Sequence, residues 1–563
     1  MNPTTPSATA PSLSSASPAL LVASPWPPAR SEIANNVAQV QVPALLAQTP
    51  LYLLGSPPVE RGADPAAPVL PIPDVAGLPV QTVAAALQAY PHARLLAHVG
   101  NEVNQNTAAL QALFKRAGYV VLHDLTLHHA WFDQCMRTWR FGDYVRSVGE
   151  FYGPRIQQQA MRARHHTQTV HHLAPGVPLF EPFLRNALGV VVHSQIAFDA
   201  VGASNRWPVC RLDLPYTSPS DVQTDTLLAH RAAQVQTLLA GVPLRLVVFG
   251  HLSANRCLPQ ILDAMLALQR AAPRPVVLDV YGKAAGAERL QKQIETNGLA
   301  HCVQLHGYVA EHTLVDGLHN AHLAINLRSP TMGEASASQL RLYAAGLPSV
   351  VMQAGWYGEQ PPDAVFHLPE ALQTGALTSA LVKTILQVLQ NPQALLPKAQ
   401  AGLAHLQQNH DPARYARQML GFMQQADREG QRLLGTRLYM NSLAEATVDL
   451  GLGITGGISE AVQSLLAPAQ PVQAAPADLP TDCLIPQANR QTVAQFMQQH
   501  ITMQQNRASH SAGGRHLALD DPQEFQHGVE PPLSFVTPSA AAQARVTQAA
   551  RRVQEADPNL AEL

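Results

Sequence analysis

Chemistry is concentrated in the segment from Ala324 to Pro362, AINLRSPTMGEASASQLRLYAAGLPSVVMQAGWYGEQPP. Gly333 and Glu334 stand in a polar loop, and Ala335, Ser336 and Ala337 open what reads as a helix. A helix opening beside a strand end offers free backbone N–H groups and the positive end of a dipole, which suits a phosphate. Glu334 adds an acceptor for sugar hydroxyls. A phosphate cradle beside a hydroxyl acceptor is the chemistry a nucleotide sugar requires. Three histidine pairs (His128–His129, His165–His166, His171–His172) invite a metal reading. Adjacent histidines on a helix point apart, however, and neither a CxxC pair nor an HExxH run accompanies them, so no metal site is expected.

The elements that must hold this loop are buried strands alternating with helices. Ala19–Ala23, Leu51–Leu54, Leu95–Val99, Val120–His123 and Gly189–His193 read as strands of a parallel sheet, separated by helical stretches. A second set follows a connecting helix over Leu227–Leu239. It comprises strands at 244–250, 276–282, 302–309, Leu323–Leu327 and Ser349–Met352, with helices over Pro259–Ala271, 290–297 and 311–320. The expected fold class is α/β, with two Rossmann-like doubly wound domains. The boundaries expected are a disordered leader over 1–18, a first domain over 19–218, a second over 219–430 closed by a helix at 413–425, and a helical or linker extension over 431–563. In that extension 432–450, 489–505 and 539–555 are helix candidates.

Composition narrows the function. At 563 residues, two or three domains are expected. With 46% apolar and 13% charged residues and a net charge of −2, the chain can fill large cores but has no field for nucleic acid. No apolar run reaches the 18 or so residues of a membrane span, and the start makes a poor signal peptide. The five cysteines (Cys135, Cys210, Cys257, Cys302, Cys483) are scattered. No disulfide framework is expected, and a reducing, cytoplasmic setting fits best, with peripheral attachment at the inner membrane compatible.

Over roughly residues 20–425 the chain resembles the retaining glycosyltransferases of the two-Rossmann GT-B fold, family four. SPWPPARSEIAN (24–35) resembles that family's opening loop, SPxPPxxSGIA. HVGNE (98–102), VVLHDLTLHH (120–129) and VVVHS (190–194) resemble its acceptor-side domain. FGHLSANRCLPQILDA (249–264), VYG (280–282), LHGYV (305–309) and LRSPTMGEASAS (327–338) resemble its donor domain.

The resemblance implies a nucleoside diphosphate sugar donor, UDP- or GDP-linked, and no cofactor or metal. Arg256, where the family usually has a lysine, would neutralise the diphosphate, within a donor site of Gly250, Gly282, Gly333, Ala335, Ser336 and Ala337. Glu334 would contact the donor sugar, and His123 would face it across the cleft, with Asp124 orienting the imidazole or acting on the acceptor. The acceptor implied is a glycan, a lipid-linked saccharide or a protein, and the extension could dock a protein partner. Four positions depart from the pattern. His251 replaces a second basic residue, Glu32 a glycine of the opening loop, Gln105 a histidine, and Arg341 the carboxylate that often holds the ribose. Glu32, Gln105 and Arg341 support a rival reading, a catalytically degenerate GT-B protein that binds a glycan or a partner. An epimerase or phosphorylase sharing the fold is a third.

Overall fold

The computed structural model describes residues 19–29, 31–56, 72–284, 286–370, 374–449 and 482–486. The first sheet contains β1 (Leu20–Ala23), β2 (Leu51–Gly55), β3 (Val80–Thr82), β4 (Arg94–Val99), β5 (Gly118–Leu122), β6 (Ala187–Val192) and β7 (Val209–Arg211). These seven are parallel in the order β7-β6-β5-β4-β1-β2-β3. The second contains β8 (Leu244–Phe249), β9 (Val276–Tyr281), β10 (Val303–Gly307), β11 (Leu323–Ile325), β12 (Ser349–Met352) and β13 (Val365–Leu368), parallel in the order β10-β9-β8-β11-β12-β13. Strands such as GYVVL of β5 and LLVA of β1 are buried throughout because helices cover both faces. Both sheets are doubly wound as expected. Each reverses its strand order beside its first strand, and crevices for ligands form at that point, beyond the carboxyl ends of the strands.

Between β5 and β6 the first domain carries helices His128–Arg137, Phe141–Tyr152, Pro154–Met161 and Gln168–Leu173, which bury a core of their own around Phe132, Tyr144 and Val148. His128 belongs to that structure. Its Nδ1 lies 2.7 Å from the Val177 carbonyl and its Nε2 2.9 Å from the Tyr144 hydroxyl. His129 pairs instead with His171, at 3.0 Å.

The chain then crosses back to the first sheet. Helix Pro412–Asp449 lays Tyr415, Met419, Phe422 and Met423 against Leu20, Val22, Tyr119 and Val121. The Tyr119 hydroxyl donates to the Met423 carbonyl at 2.6 Å, and Arg94 pairs with Asp427. Gly430 touches the Leu188 backbone, where a β-carbon would come within 2.2 Å of the carbonyl oxygen. The boundary expected at 430 therefore falls inside a continuous helix, whose later turns bury Leu433, Leu434 and Arg437.

Beyond this helix Cys483–Leu484 (β14) pairs antiparallel with β7, and Cys483 forms a disulfide with Cys210. This corrects the expectation of unpaired cysteines. A separation of 273 residues hid the pairing, which only the edge of the sheet creates. Cys135, Cys257 and Cys302 are free and buried. The candidate helices at 489–505 and 539–555 lie outside the described residues. Among the described residues no helix is long and apolar enough to cross a membrane.

Candidate functional site

The second domain brings together, from three chain segments, a candidate seat for an anion. Ser336 caps helix Ala337–Ala344, its hydroxyl accepting from the Gln339 N–H at 3.1 Å. The hydrogen bonds among the described residues leave the backbone N–H groups of Ala335, Ser336 and Ala337 unused. Four such donors are orphaned at every helix start, and a ligand can take them. Arg256 ends the turn after β8 and is 2% exposed. Its Nη1 donates to Asn326 Oδ1 and its Nε to the His251 carbonyl at 3.3 Å, while Nη2 has no partner among the described residues. Asn326 is fixed in turn by Gln339 at 2.9 Å, and Gln339 by Ser349.

Gly250 lies where these groups converge. A β-carbon there would stand 3.0 Å from Arg256 Nη2, 3.5 Å from Ser338 Oγ and 3.6 Å from Glu32 Oε1. Gly282, with φ of 130°, brings the end of β9 so close that a β-carbon would meet the Gly250 oxygen at 2.0 Å. Only glycine serves at such a contact.

Glu334 is already engaged within its own loop. Its carboxylate accepts from Arg328 Nε at 3.1 Å, Thr331 Oγ1 at 3.0 Å and the Met332 N–H at 2.7 Å. The loop is pinned to the first domain, since Thr126 N–H donates to the Met332 carbonyl and the Ser194 hydroxyl to the Gly333 carbonyl, both at 2.9 Å. Gly333 (φ 77°) sits on Leu125, where a β-carbon would come within 2.6 Å of the Leu125 Cβ. Glu334 thus shapes the loop and keeps little free acceptor capacity.

Across from this loop, the first domain sets three imidazoles in a row near the ends of β4, β5 and β6. His98 Nδ1 lies 3.0 Å from His123 Nε2, and the His193 ring stands 5.4 Å from that of His123. Burial holds all three neutral. It lowers the His98 pKa to about 3 and that of His193 to about 4, and it pulls His123 well below the ordinary value. The neutral His193 donates from Nδ1 to the Leu212 carbonyl at 2.9 Å. His98, rather than Asp124, orients His123, a correction to the expected pairing. Asp124 instead accepts from the Asn101 N–H at 2.7 Å. Burial raises its pKa to about 7, and the nearby Glu334 charge adds to the shift.

The departing residues have definite places. Glu32 is the exposed first residue of helix Glu32–Asn36, and its Oε1 accepts from the Ser338 hydroxyl at 2.7 Å, across the two domains. Arg341 pairs with Glu311 and lies 6.0 Å from the centre of the Phe249 ring. Gln105 sits in a turn, its N–H donating to the Glu102 carbonyl at 3.0 Å. The expected donor residues Gly250, Arg256, Gly282, Gly333, Ala335, Ser336 and Ala337 share one end of the second sheet, with His123 and Asp124 on the facing lobe. Sequence reasoning missed Asn326, Arg328, Ser338, Gln339 and His98. Ser338 lies in the GEASAS segment and Gln339 beside it, Asn326 and Arg328 lie in the strand-end stretch just before it, and His98 opens the HVGNE motif. Among the described residues no three His, Cys, Asp or Glu side chains are grouped to hold a metal.

No family model and no curated protein matches the chain. Solved structures of similar fold include Anabaena HepE in complex with UDP-glucose, at 15% identity, covering 72% of this chain and 99% of that one, TM-score 0.46. Sucrose-phosphate synthase from Thermosynechococcus elongatus is 15% identical, covering 73% and 98%, TM-score 0.49. WaaG, a glycosyltransferase involved in lipopolysaccharide biosynthesis, is 11% identical, covering 71% and 98%, TM-score 0.44.

Proposed function

We propose that the chain is a GT-B glycosyltransferase that takes a sugar from a nucleoside diphosphate donor. The observation that carries this reading is Arg256, a buried guanidinium whose Nη2 at Gly250 has no partner among the described residues, beside a helix start whose amides those residues also leave free. A buried cationic donor without a partner is costly unless an anion completes it. A diphosphate matches that need, because the leaving group gains charge as the glycosidic bond breaks. Amide donors aimed at such charge contribute about 2.7–4 kcal/mol each.

Arg256 and the amides of Ala335 to Ala337 would hold the diphosphate, and the Gly333 loop would place the sugar against His123. The neutral imidazole can donate to or accept from a sugar hydroxyl. We assign a retaining course, in which the acceptor attacks on the face the diphosphate leaves and the departing phosphate oxygen takes its proton. Asp124, with its pKa raised to about 7, stands on the facing lobe within reach of the Glu334 charge and would help place the acceptor. The acceptor class proposed is a glycan, a lipid-linked saccharide or a protein, used in a cytoplasmic setting. A donor screen scored for released UDP or GDP tests this reading, and release of neither from any UDP- or GDP-sugar, with mixed glycan and lipid acceptors present, counts against it.

One observation favours the second reading, a GT-B protein that has lost catalysis. The Glu32 carboxylate meets the donor-side helix at Ser338. On that reading no sugar nucleotide binds at all, which calorimetry with the same panel decides.

A further inference from the structure

We infer that Glu32 guards the mouth of the anion seat, a carboxylate that an incoming phosphate must displace. The inference rests on the proposed use of that seat and goes beyond it.

Its Oε1 accepts from Ser338, in the first turn of helix Ala337–Ala344, at 2.7 Å. The same oxygen lies 3.6 Å from the point beside Gly250 that Arg256 Nη2 approaches to 3.0 Å. Arg256 is 2% exposed and its Nη2 is unpartnered, whereas Glu32 is exposed. The carboxylate therefore lies on the solvent side of a buried cation, against a helix start whose field favours negative charge. An anion mimic would take this position. It offers the seat one negative charge on a mobile side chain, and a diphosphate offers more.

Displacing Glu32 does not require the lobes to part. Thr126 and Ser194 hold the Met332–Gly333 loop, and Gln195 N–H donates to Glu359 at 2.8 Å. The helix bearing Glu32 is anchored separately, by Asn36 Nδ2 donating to the Pro215 carbonyl at 2.9 Å in the interdomain connection. The exchange is local, a swing of one side chain about its own χ angles. Its consequence is selectivity, because weakly charged anions do not outcompete a tethered carboxylate whereas a pyrophosphate group does.

The test measures inorganic pyrophosphate binding by calorimetry to wild type, Glu32→Gln, Glu32→Gly and Glu311→Gln, with UDP and GDP titrated in parallel. Both Glu32 variants should bind pyrophosphate about tenfold or more tightly than wild type. Glu311→Gln removes an equal charge beside Arg341, outside the seat, and should leave the affinity unchanged. Equal affinity in all four proteins overturns the inference, as does an equal gain in Glu311→Gln, which would mark a diffuse charge effect. Weaker binding in the Glu32 variants also overturns it, since Glu32 would then be holding the ligand. Failure of all four proteins to bind pyrophosphate has the same meaning. A pyrophosphate gain without UDP or GDP binding leaves the displacement intact and sinks the glycosyltransferase reading, and nucleotide binding without the gain does the reverse.

Discussion

Burial sets the protonation of Asp124 and of the three imidazoles in the cleft. Asp124 carries the clearest consequence. Its folded pKa of about 7 lies above the unfolded value near 4, so the folded state holds its proton more tightly. That contribution to stability is complete below about pH 4 and is lost as pH rises through 7. Urea unfolding should therefore show Asp124→Asn gaining on wild type between pH 5 and pH 8. An unchanged difference across that range would mean that Asp124 is not buried as described. The three imidazoles behave in the opposite sense, burial holding each below its ordinary pKa, so His123 should not contribute a titration step to the activity profile near its ordinary value.

Among the elements, the seat depends on one buried chain of amides and hydroxyls, Arg256–Asn326–Gln339–Ser349. Gln339 is fully buried, and Gln339→Leu would strand the Asn326 amide and the Ser349 hydroxyl. The expected loss is about 1–3 kcal/mol of stability, seen as a lower denaturation midpoint, together with weaker anion binding because Arg256 loses its brace. A variant of wild-type stability and affinity would show that the chain of bonds does not support the seat. Much of this element structure was legible beforehand. Runs such as LLVA and GVVV announce buried strands by their unbroken apolar character, and Ser336 announces its own cap. The short strands Val80–Thr82, Val209–Arg211 and Val365–Leu368 did not stand out, since polar residues break their apolar runs. The helical stretch between β5 and β6 was expected, but its division into four helices with a core of their own was not legible, because that core forms only where the helices pack on one another. Of the site, the Gly333–Glu334 loop was visible as a loop opening a helix. The Arg328 clamp on Glu334 and the His98 contact to His123 were not, because each depends on chain segments meeting in space.

At the scale of the whole molecule, helix Pro412–Asp449 ties the second domain to the first. Gly430 is its closest approach, and Gly430→Ala would drive a methyl group into the Leu188 carbonyl. Overpacking of this kind costs about 1–3 kcal/mol, so chemical denaturation should show a lower midpoint without loss of the anion seat. An unchanged midpoint would place the two domains' attachment elsewhere. Removal of residues 431–563 would take away Arg437, which donates to the Ala187 and Arg206 carbonyls, and strip the antiparallel strand from β7. The most direct measurement of function is calorimetry of wild type and Arg256→Ala against a panel of UDP- and GDP-sugars. A charge-assisted bond of about 1.5–3 kcal/mol corresponds to a loss of about tenfold to a hundredfold. At least one sugar nucleotide should bind wild type, and Arg256→Ala should weaken it by that factor. A wild-type protein that binds none of the panel, or an Arg256→Ala variant that binds as well as wild type, contradicts the assignment.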